Sequence, residues 1–456
     1  MIGNSRKWIL KRFAGIAVLT IIFLFPALYN GYPLATSDTG SYINHAFDFQ
    51  FPADRSPFYG VFVGFSSLWK SLWLTAIAQT LCLTFIFSQY CKLFFGREQK
   101  SKYVLFAGLL VAIGTCIVWV SSEIMPDVFT GILLLAAILY LLDVNASKSL
   151  TIVYLCIIFG AVIVHNSHFL IFLLFTLFLI AISYKKYRNL LRKTVLLFSI
   201  SVSSWGFICG LHYIKGYGFV PSQGTHVFMM GKLAETGILE KYLSENCDHR
   251  HLKLCAYKSD IPKPAFAFLW SPESPLYKTG GWNNSKTEYN IIIKDVFTTP
   301  RYLFLFMGKS VTFSLRQLAE IQIAPQLTPF DSSSSPWRSI SRYLPNELSS
   351  FALSRQNRNE MQMVSWRHIH LIFFIFSCIA VIFIFLSKRQ EDNYLLIYLL
   401  VSMFILINAF VTASFANVLD RLQYRVFWVL PATNAIILIK HYILLYTDKG
   451  TKNGSF

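Results

Sequence analysis

Residues 37–60, SDTGSYINHAFDFQFPADRSPFYG, hold an unusual density of ionisable side chains directly after an apolar run. Asp38 lies on a turn flanked by Thr, Gly and Ser, whereas Asp54 is adjacent to Arg55 and can pair with it locally. A carboxylate on such a turn can take a proton from an attacking hydroxyl group, and a guanidinium can offset charge on a departing phosphate. The structural alternative is that Asp38 only caps a short helix beginning near Tyr42.

Three further turns carry ionisable side chains in this apolar chain. SSEIMPD holds Glu123 and Asp127, HNSH holds His165 and His168, and LDRLQYR holds Arg421, Tyr424 and Arg425. Each has a structural interpretation: Asp127 as a helix cap, the histidines as interfacial residues and the arginines as headgroup anchors. Ionisable groups are costly at a membrane edge, so their grouping at one water interface favours a functional site.

The elements that position these residues are predicted to be membrane helices. Of the 456 residues, 54% are hydrophobic and only 14% are charged, which excludes an ordinary soluble domain. Ten apolar runs have about the length that crosses a bilayer. They lie near 11–30, 70–95, 104–120, 128–143, 150–165, 168–184, 194–212, 367–386, 394–414 and 426–445. The sequence therefore predicts an all-α polytopic membrane protein with about ten transmembrane helices.

Lysine and arginine in the short connections predict the orientation, because cationic loops stay in the cytoplasm. They cluster at the N-terminus and in alternate connections, at Arg6, Lys7, Lys11, Arg12, Lys92, Arg97, Lys100, Lys102, Lys185, Lys186, Arg188, Arg192, Lys193, Lys388 and Arg389. Both termini are expected in the cytoplasm, with the first span uncleaved and the four ionisable turns outside. The net charge of +18 comes partly from these cytoplasmic cations and partly from an excess of cations in the outer loops. The outer excess suits anionic lipid headgroups or a phosphate, and nucleic acid is not implied.

Three regions are expected along the chain. An N-terminal transmembrane module, 1–212, contains the catalytic first outer loop, 31–69; a large non-cytoplasmic region, 213–366, precedes a C-terminal transmembrane module, 367–456. In the central region TPRYLFLFMGKSVTFSLRQLAEI spaces its cations for an amphipathic helix in the membrane interface.

Cys247 and Cys255 lie in NCDHRHLKLCAY, within the large non-cytoplasmic region. A disulfide there fits an oxidising compartment. The alternative is a metal cluster with His249 and His251, whose spacing matches no standard zinc pattern.

At these residues the chain resembles the GT-C class of integral-membrane glycosyltransferases. In that class an acidic residue follows the first span, as in SDTGSYI, with interfacial helices after it, where this chain has DRSPFYG. A second acidic site commonly lies between the third and fourth spans, where this chain has SSEIMPD. A basic and aromatic element opens a late span, as in DRLQYRVFWVLP. The resemblance implies a GT-C-like fold and a sugar donor linked to polyprenyl phosphate.

Transfer of a sugar from a lipid phosphate needs a base and phosphate-binding cations, and the residues of the four turns can supply both. Asp38 is predicted as the catalytic base, with Asp127 as the second catalytic carboxylate; Arg421, Arg425 and Arg55 would bind the donor phosphate. Glu123, Asp127, His165 and His168 would orient the acceptor or hold a divalent cation, and Tyr424 belongs to the same substrate-binding element. The acceptor would be a glycan, a lipid or a protein, on the non-cytoplasmic side of a bacterial inner (plasma) membrane.

Two other functions stay open from the sequence. A polysaccharide polymerase or ligase also uses lipid-linked sugars and a large outer loop, but leaves the acidic first loop without a role. A transporter or flippase would place its binding site near the bilayer midplane, whereas the spans here are nearly free of buried charge.

Overall fold

The computed structural model describes residues 2–49, 51–96, 101–320, 327–361, 363–386 and 392–452. Within these ranges the regular structure is helical, apart from one isolated parallel β-bridge between Leu34 and Glu123. Four of the cations used to predict orientation, Arg97, Lys100, Lys388 and Arg389, lie outside the described residues.

The N-terminal part of the chain forms eleven α-helices in the described ranges. They are α1 Ile2–Phe23, α2 Phe25–Asn30, α3 Thr39–Asp48, α4 Phe58–Ser67, α5 Leu72–Phe95, α6 Ser101–Gly114, α7 Ile117–Ser122, α8 Val128–Leu142, α9 Lys148–Ile163, α10 Asn166–Lys185 and α11 Leu191–Ile214.

Six of the ten predicted spans coincide with helices that are long and apolar enough to cross a membrane in the described part of the chain. These six are Leu72–Phe95, Asn166–Lys185, Arg188–Ile214, Ser365–Phe383, Asn393–Phe415 and Asp420–Ile443. The other four predicted spans are shorter apolar helices or broken ones, as where the 104–120 run divides into α6 and α7. In the described residues the all-helical architecture, with six helices able to span a membrane, is confirmed; the count of ten and the GT-C fold are not.

Helix α8 shows why apolarity alone does not settle the count. Every residue from Val128 to Leu141 is buried in the protein. A helix that is apolar on all sides either faces lipid or lies inside a bundle, and sequence does not separate the two cases. Because α8 is surrounded by other helices, it can be shorter, at 15 residues, than a helix that faces lipid across the whole membrane.

The described residues of the central segment form nine α-helices. They are α12 Thr225–Glu235, α13 Ile238–Asn246, α14 Ala265–Trp270, α15 Pro275–Lys278, α16 Gly281–Asn284, α17 Lys286–Thr298, α18 Pro300–Ala319 and α19 Ser335–Tyr343, followed by the single-turn α20 Leu348–Ala352. Residues 227–306 have a hydrophobic core of their own, whereas Ile340 and Phe351 belong to the core of the helical bundle. A disulfide joins Cys247 to Cys255, as the sequence predicted.

The predicted interfacial helix is α18. It is not among the helices apolar enough to cross a membrane in the described ranges. One face, with Tyr302, Phe306 and Gln317, is buried, while Phe304 and Leu315 are exposed. Helix α18 packs mainly against the helix Asp392–Phe415 and also contacts α17 and α13.

The C-terminal part contains α21 Met363–Leu386, α22 Asp392–Phe415, α23 Asp420–Phe427 and α24 Val429–Lys452. Helix α23 packs against α8 and α22. Gly131 of α8 allows the approach, because a Cβ there would lie 2.5 Å from the Trp428 ring. This close packing brings Arg421 and Arg425 of the LDRLQYR motif next to the start of α8.

Candidate active site

The four ionisable turns meet at one end of the bundle, named here the Asp38 face. The chain after α2 runs beside the α7–α8 turn: Leu34 N–H donates to Ser122 O at 3.0 Å, and Ile124 N–H donates to Leu34 O at 2.9 Å. Thr39 Oγ1 also donates to Ile124 O at 3.3 Å. This pairing fixes the start of α3, and with it Asp38, beside the acidic turn.

Asp38 lies between two arginines from distant parts of the chain. Arg421 Nη1 donates to Asp38 Oδ2 at 2.9 Å, and Arg55 Nη2 donates to Asp38 Oδ1 at 3.3 Å. The Asp38 side chain keeps 28% of its surface exposed, against 16% for Arg55 and 11% for Arg421. It makes no capping bond to α3, so the capping alternative does not explain it.

The two arginines set the charge of Asp38. Burial by itself would raise its pKa, but the charges and hydrogen bonds of Arg55 and Arg421 outweigh that effect and lower the pKa to about 2. The carboxylate is therefore ionised throughout the physiological range. Asp38 is thus a partly exposed anion that two arginines hold in place.

Asp127 and Arg425 form a second charged pair, deeper in the bundle. Arg425 Nη1 donates to Asp127 Oδ1 at 3.2 Å, and both side chains are fully buried. Asn408 Oδ1 accepts from Arg425 Nη2 at 2.9 Å and Nε at 3.3 Å, and Ser167 Oγ accepts from Nη2 at 3.1 Å. Arg425 thus ties α23 to α8, α10 and α22. Such a pair holds the elements in register, because either charge alone would be costly.

Arg421 links the two pairs. While Nη1 binds Asp38, its Nε lies 3.8 Å from Asp127 Oδ2. That carboxylate oxygen has no hydrogen-bond partner among the described residues. The result is a chain of alternating charges that runs from the exposed Asp38 through Arg421 and Asp127 to the buried Arg425.

Glu123 is held by an aromatic hydroxyl rather than by a cation. Tyr424 OH donates to its carboxylate, at 2.7 Å from Oε1 and 2.8 Å from Oε2. Gln79 Nε2 donates to Glu123 O at 2.6 Å, and Tyr59 OH donates to Gln79 Oε1 at 2.8 Å. Glu123 therefore belongs to a buried polar network behind Asp38.

Glu123 is expected to make stability depend on pH. Burial raises its pKa from 4.5 to about 8; Tyr424 and Arg421 oppose the rise and Asp127 adds to it. The folded state then keeps a proton that the unfolded state loses, so its contribution is complete below pH 4.5 and is lost as pH rises through 8. In wild type the unfolding temperature should therefore fall between about pH 5 and about pH 8, a window set by the two pKa values. In Glu123→Gln this fall should be smaller.

Thermal unfolding of the detergent-purified protein at several pH values measures this slope. Glu273→Gln is the matched control, because its side chain is 86% exposed. Equal slopes in wild type and Glu123→Gln would contradict a protonated Glu123 in the fold.

The two histidines have structural partners. His168 is buried; its Nδ1 donates to Ala161 O at 2.6 Å, which leaves Nε2 to accept from Thr130 Oγ1 at 2.7 Å. His165 Nδ1 accepts from Ser167 N–H at 3.2 Å and so caps α10. Both rings stabilise the α9–α10 turn.

These contacts correct several predicted roles. Four predicted site residues, Glu123, Asp127, His168 and Arg425, have at most 1% of their surface exposed, and the Tyr424 hydroxyl is taken by Glu123. A substrate could not touch the four buried groups without rearranging the bundle. We therefore assign them positioning roles. Asp38, Arg55, Arg421 and the half-buried His165 remain accessible.

Several supporting residues gave no signal in the sequence. Gln356 holds the first loop through Ala35, with its Nε2 donating to Ala35 O at 2.7 Å and its Oε1 accepting from Ala35 N–H at 3.1 Å. Ser339 Oγ donates to Gly40 O at 3.0 Å. The segment after α18 thus anchors the first loop, through contacts that a single chain pattern cannot reveal.

The structure also bears on metal binding. In the parts of the chain that it describes, no group of three or more His, Cys, Asp or Glu side chains could hold a metal ion. Asp38 and Asp127 are instead paired with arginines, and Glu123 with the Tyr424 hydroxyl.

Searches against protein-family models, curated proteins and solved structures find no match for this chain, so its function is argued from its own residues.

Proposed function

We propose that this protein is a membrane glycosyltransferase of the GT-C type. It transfers a sugar from a polyprenyl-phosphate carrier to a hydroxyl acceptor at the Asp38 face, on the non-cytoplasmic side of the membrane. The reaction needs a base, cations for the departing phosphate and a position at the lipid boundary.

One observation carries this proposal. Asp38 is an ionised, partly exposed carboxylate between Arg55 and Arg421, at one end of a bundle of apolar helices. Arg55 is also paired with Asp54 and Arg421 lies beside Asp127, so the two arginines are fixed in place while Asp38 keeps the largest exposed fraction of the three. A purely structural ion pair would not require the carboxylate to remain the most exposed member of the cluster.

The proposed step is a displacement at the anomeric carbon of the sugar. An acceptor oxygen forms a bond to that carbon, the bond from carbon to the phosphate oxygen breaks, and its electron pair leaves with the phosphate. Asp38 takes the proton of the acceptor hydroxyl. Arg421 and Arg55 stabilise the charge on the leaving phosphate, where a guanidinium can make two parallel hydrogen bonds.

Donor binding would also activate the base. In the free protein Arg55 and Arg421 hold the pKa of Asp38 near 2, after outweighing its burial, and a carboxylate of such low pKa is a weak base. A phosphate that shares these guanidiniums weakens their hold on Asp38. The proton affinity of Asp38 therefore rises only when the donor is in place.

Incubating the purified protein with a panel of polyprenyl-phosphate sugars tests the proposal. We expect one monosaccharide donor to be consumed, with formation of a glycoside and polyprenyl phosphate in equal amounts. Consumption of oligosaccharide donors alone would instead identify a polymerase or ligase. No consumption of any donor, in the presence of glycan, lipid and protein acceptors, would contradict the proposal.

A further inference from the structure

A cavity of about 170 Å³ lies behind the Asp38 face, between the end of α6, the start of α21 and the α23–α24 junction. Its polar lining includes Thr115, Arg367, His368, His370 and Tyr424, and its apolar lining includes Phe374 and Trp428. Tyr424 lines this cavity, and its hydroxyl binds Glu123. The cavity is thus next to the candidate active site but is not part of it.

His370 is the feature of this cavity that calls for a ligand. Only 8% of its surface is exposed, and neither ring nitrogen has a hydrogen-bond partner among the described residues. A buried imidazole normally pairs both nitrogens, because an unpaired polar group in an apolar surrounding is unfavourable. His370 therefore has hydrogen-bonding capacity directed at the cavity and left unused by the protein.

The charge of the lining specifies an anion. Arg367 also has an unpaired buried atom, its Nε, in the part of the chain that the structure describes. Among the described residues no Asp or Glu lines the cavity, whereas Arg367, His368 and His370 all line it from one helix; Asp420, on which the charge of Arg367 acts, lies outside the lining. A guanidinium with imidazoles beside it is a donor set suited to phosphate oxygens.

The surroundings specify that the anion is attached to a lipid. Ser365–Phe383 is one of the six helices able to span a membrane, and only 11% of that window is buried in the protein. From Ile372 to Phe383, toward its C-terminal end, α21 exposes a series of large apolar side chains: Ile372, Ile375, Phe376, Ile379, Ile382 and Phe383. A lipid chain packed along this face would bring its head group to Arg367 and His370.

We propose that this cavity binds a lipid phosphomonoester, with the phosphate at Arg367 and His370 and the hydrocarbon chain along α21. The site itself follows from the cavity. Its role rests on the proposed function: polyprenyl phosphate is the phosphomonoester that remains after sugar transfer, and the cavity would receive this spent carrier next to the place where it forms.

Binding of farnesyl phosphate to the purified full-length protein, followed by native mass spectrometry, tests the site. Arg367→Gln and His370→Phe should each weaken binding by about tenfold or more, the effect of losing a hydrogen bond to a charged group. Lys309→Gln is the control of equal charge change, because Lys309 is exposed on α18 and does not line the cavity. His370→Phe should leave the unfolding temperature of the lipid-free protein unchanged or raised, which separates loss of binding from loss of fold.

Unchanged farnesyl phosphate affinity in both cavity variants would overturn the inference. So would equal affinity for farnesol, which lacks the phosphate, or for inorganic phosphate, which lacks the chain. In a transfer assay, farnesyl phosphate should inhibit wild type more strongly than Arg367→Gln. If no donor supports transfer, the proposed function fails, and the binding comparison alone decides on the cavity.

Discussion

Asp38→Asn is expected to lower the rate of sugar transfer by about 10²- to 10⁴-fold, the range for a lost general base. The fold should survive the change, because each arginine keeps another carboxylate. Arg55 Nε remains 3.0 Å from Asp54 Oδ2, and Arg421 Nε remains 3.8 Å from Asp127 Oδ2. The loss should therefore appear in the turnover rate, with unfolding temperature and yield preserved.

Asp54→Asn is the matched control for this experiment. It removes a carboxylate from the same loop and from the same arginine, so it makes the same change in local charge. A rate within about tenfold of wild type is expected for it, because it does not assist the proton transfer. An equal loss in both variants would show that the loop needs its charge balance rather than a base at Asp38.

Arg425→Met should destabilise the fold by about 3 to 5 kcal/mol, as expected when one partner of a buried ion pair is removed. Asp127 would be left fully buried, with Arg421 Nε 3.8 Å away. The sequence predicted Arg425 as a phosphate ligand, for which weaker donor binding would be the main effect. The burial of Arg425 predicts a loss of folded protein instead.

Two variants separate these alternatives by thermal unfolding in detergent. Arg358→Met removes a guanidinium that is 48% exposed and pairs with Glu360, and a surface pair contributes only about 0 to 1 kcal/mol. The double change of Arg425→Met with Asp127→Leu should recover much of the stability, since it leaves no unpaired buried charge. If Arg425→Met unfolds at the same temperature as Arg358→Met, the buried pair is not what holds α23 in place.

The sequence located the candidate site better than it described the bundle. Asp38, Glu123, Asp127, Arg421 and Arg425 all belong to the cluster that the structure brings together. They were identifiable because ionisable groups are rare in such an apolar chain. How deeply each one is buried could not be predicted. Whether a carboxylate at a helix start faces water or an arginine depends on packing between distant segments.

Partners from distant segments explain the remaining differences. Arg425 meets Asn408 and Asp127, and the latter is separated from it by 298 residues. Gln356 reaches Ala35 across 321 residues. Neither contact follows from local periodicity or composition, and the same holds for α8, whose burial is set by the helices around it.

The fate of the donor lipid in proteoliposomes tests the central claim most directly, because it separates a transferase from a flippase. A polyprenyl-phosphate sugar labelled in both parts would be supplied with an acceptor, and the two labels followed in wild type and Asp38→Asn. With wild-type protein we expect the sugar label to move to the acceptor while the lipid label stays as polyprenyl phosphate, and the Asn variant should do so at least about 10²-fold more slowly. Movement of the intact doubly labelled lipid between leaflets, with no glycosidic product and no dependence on Asp38, would contradict the account.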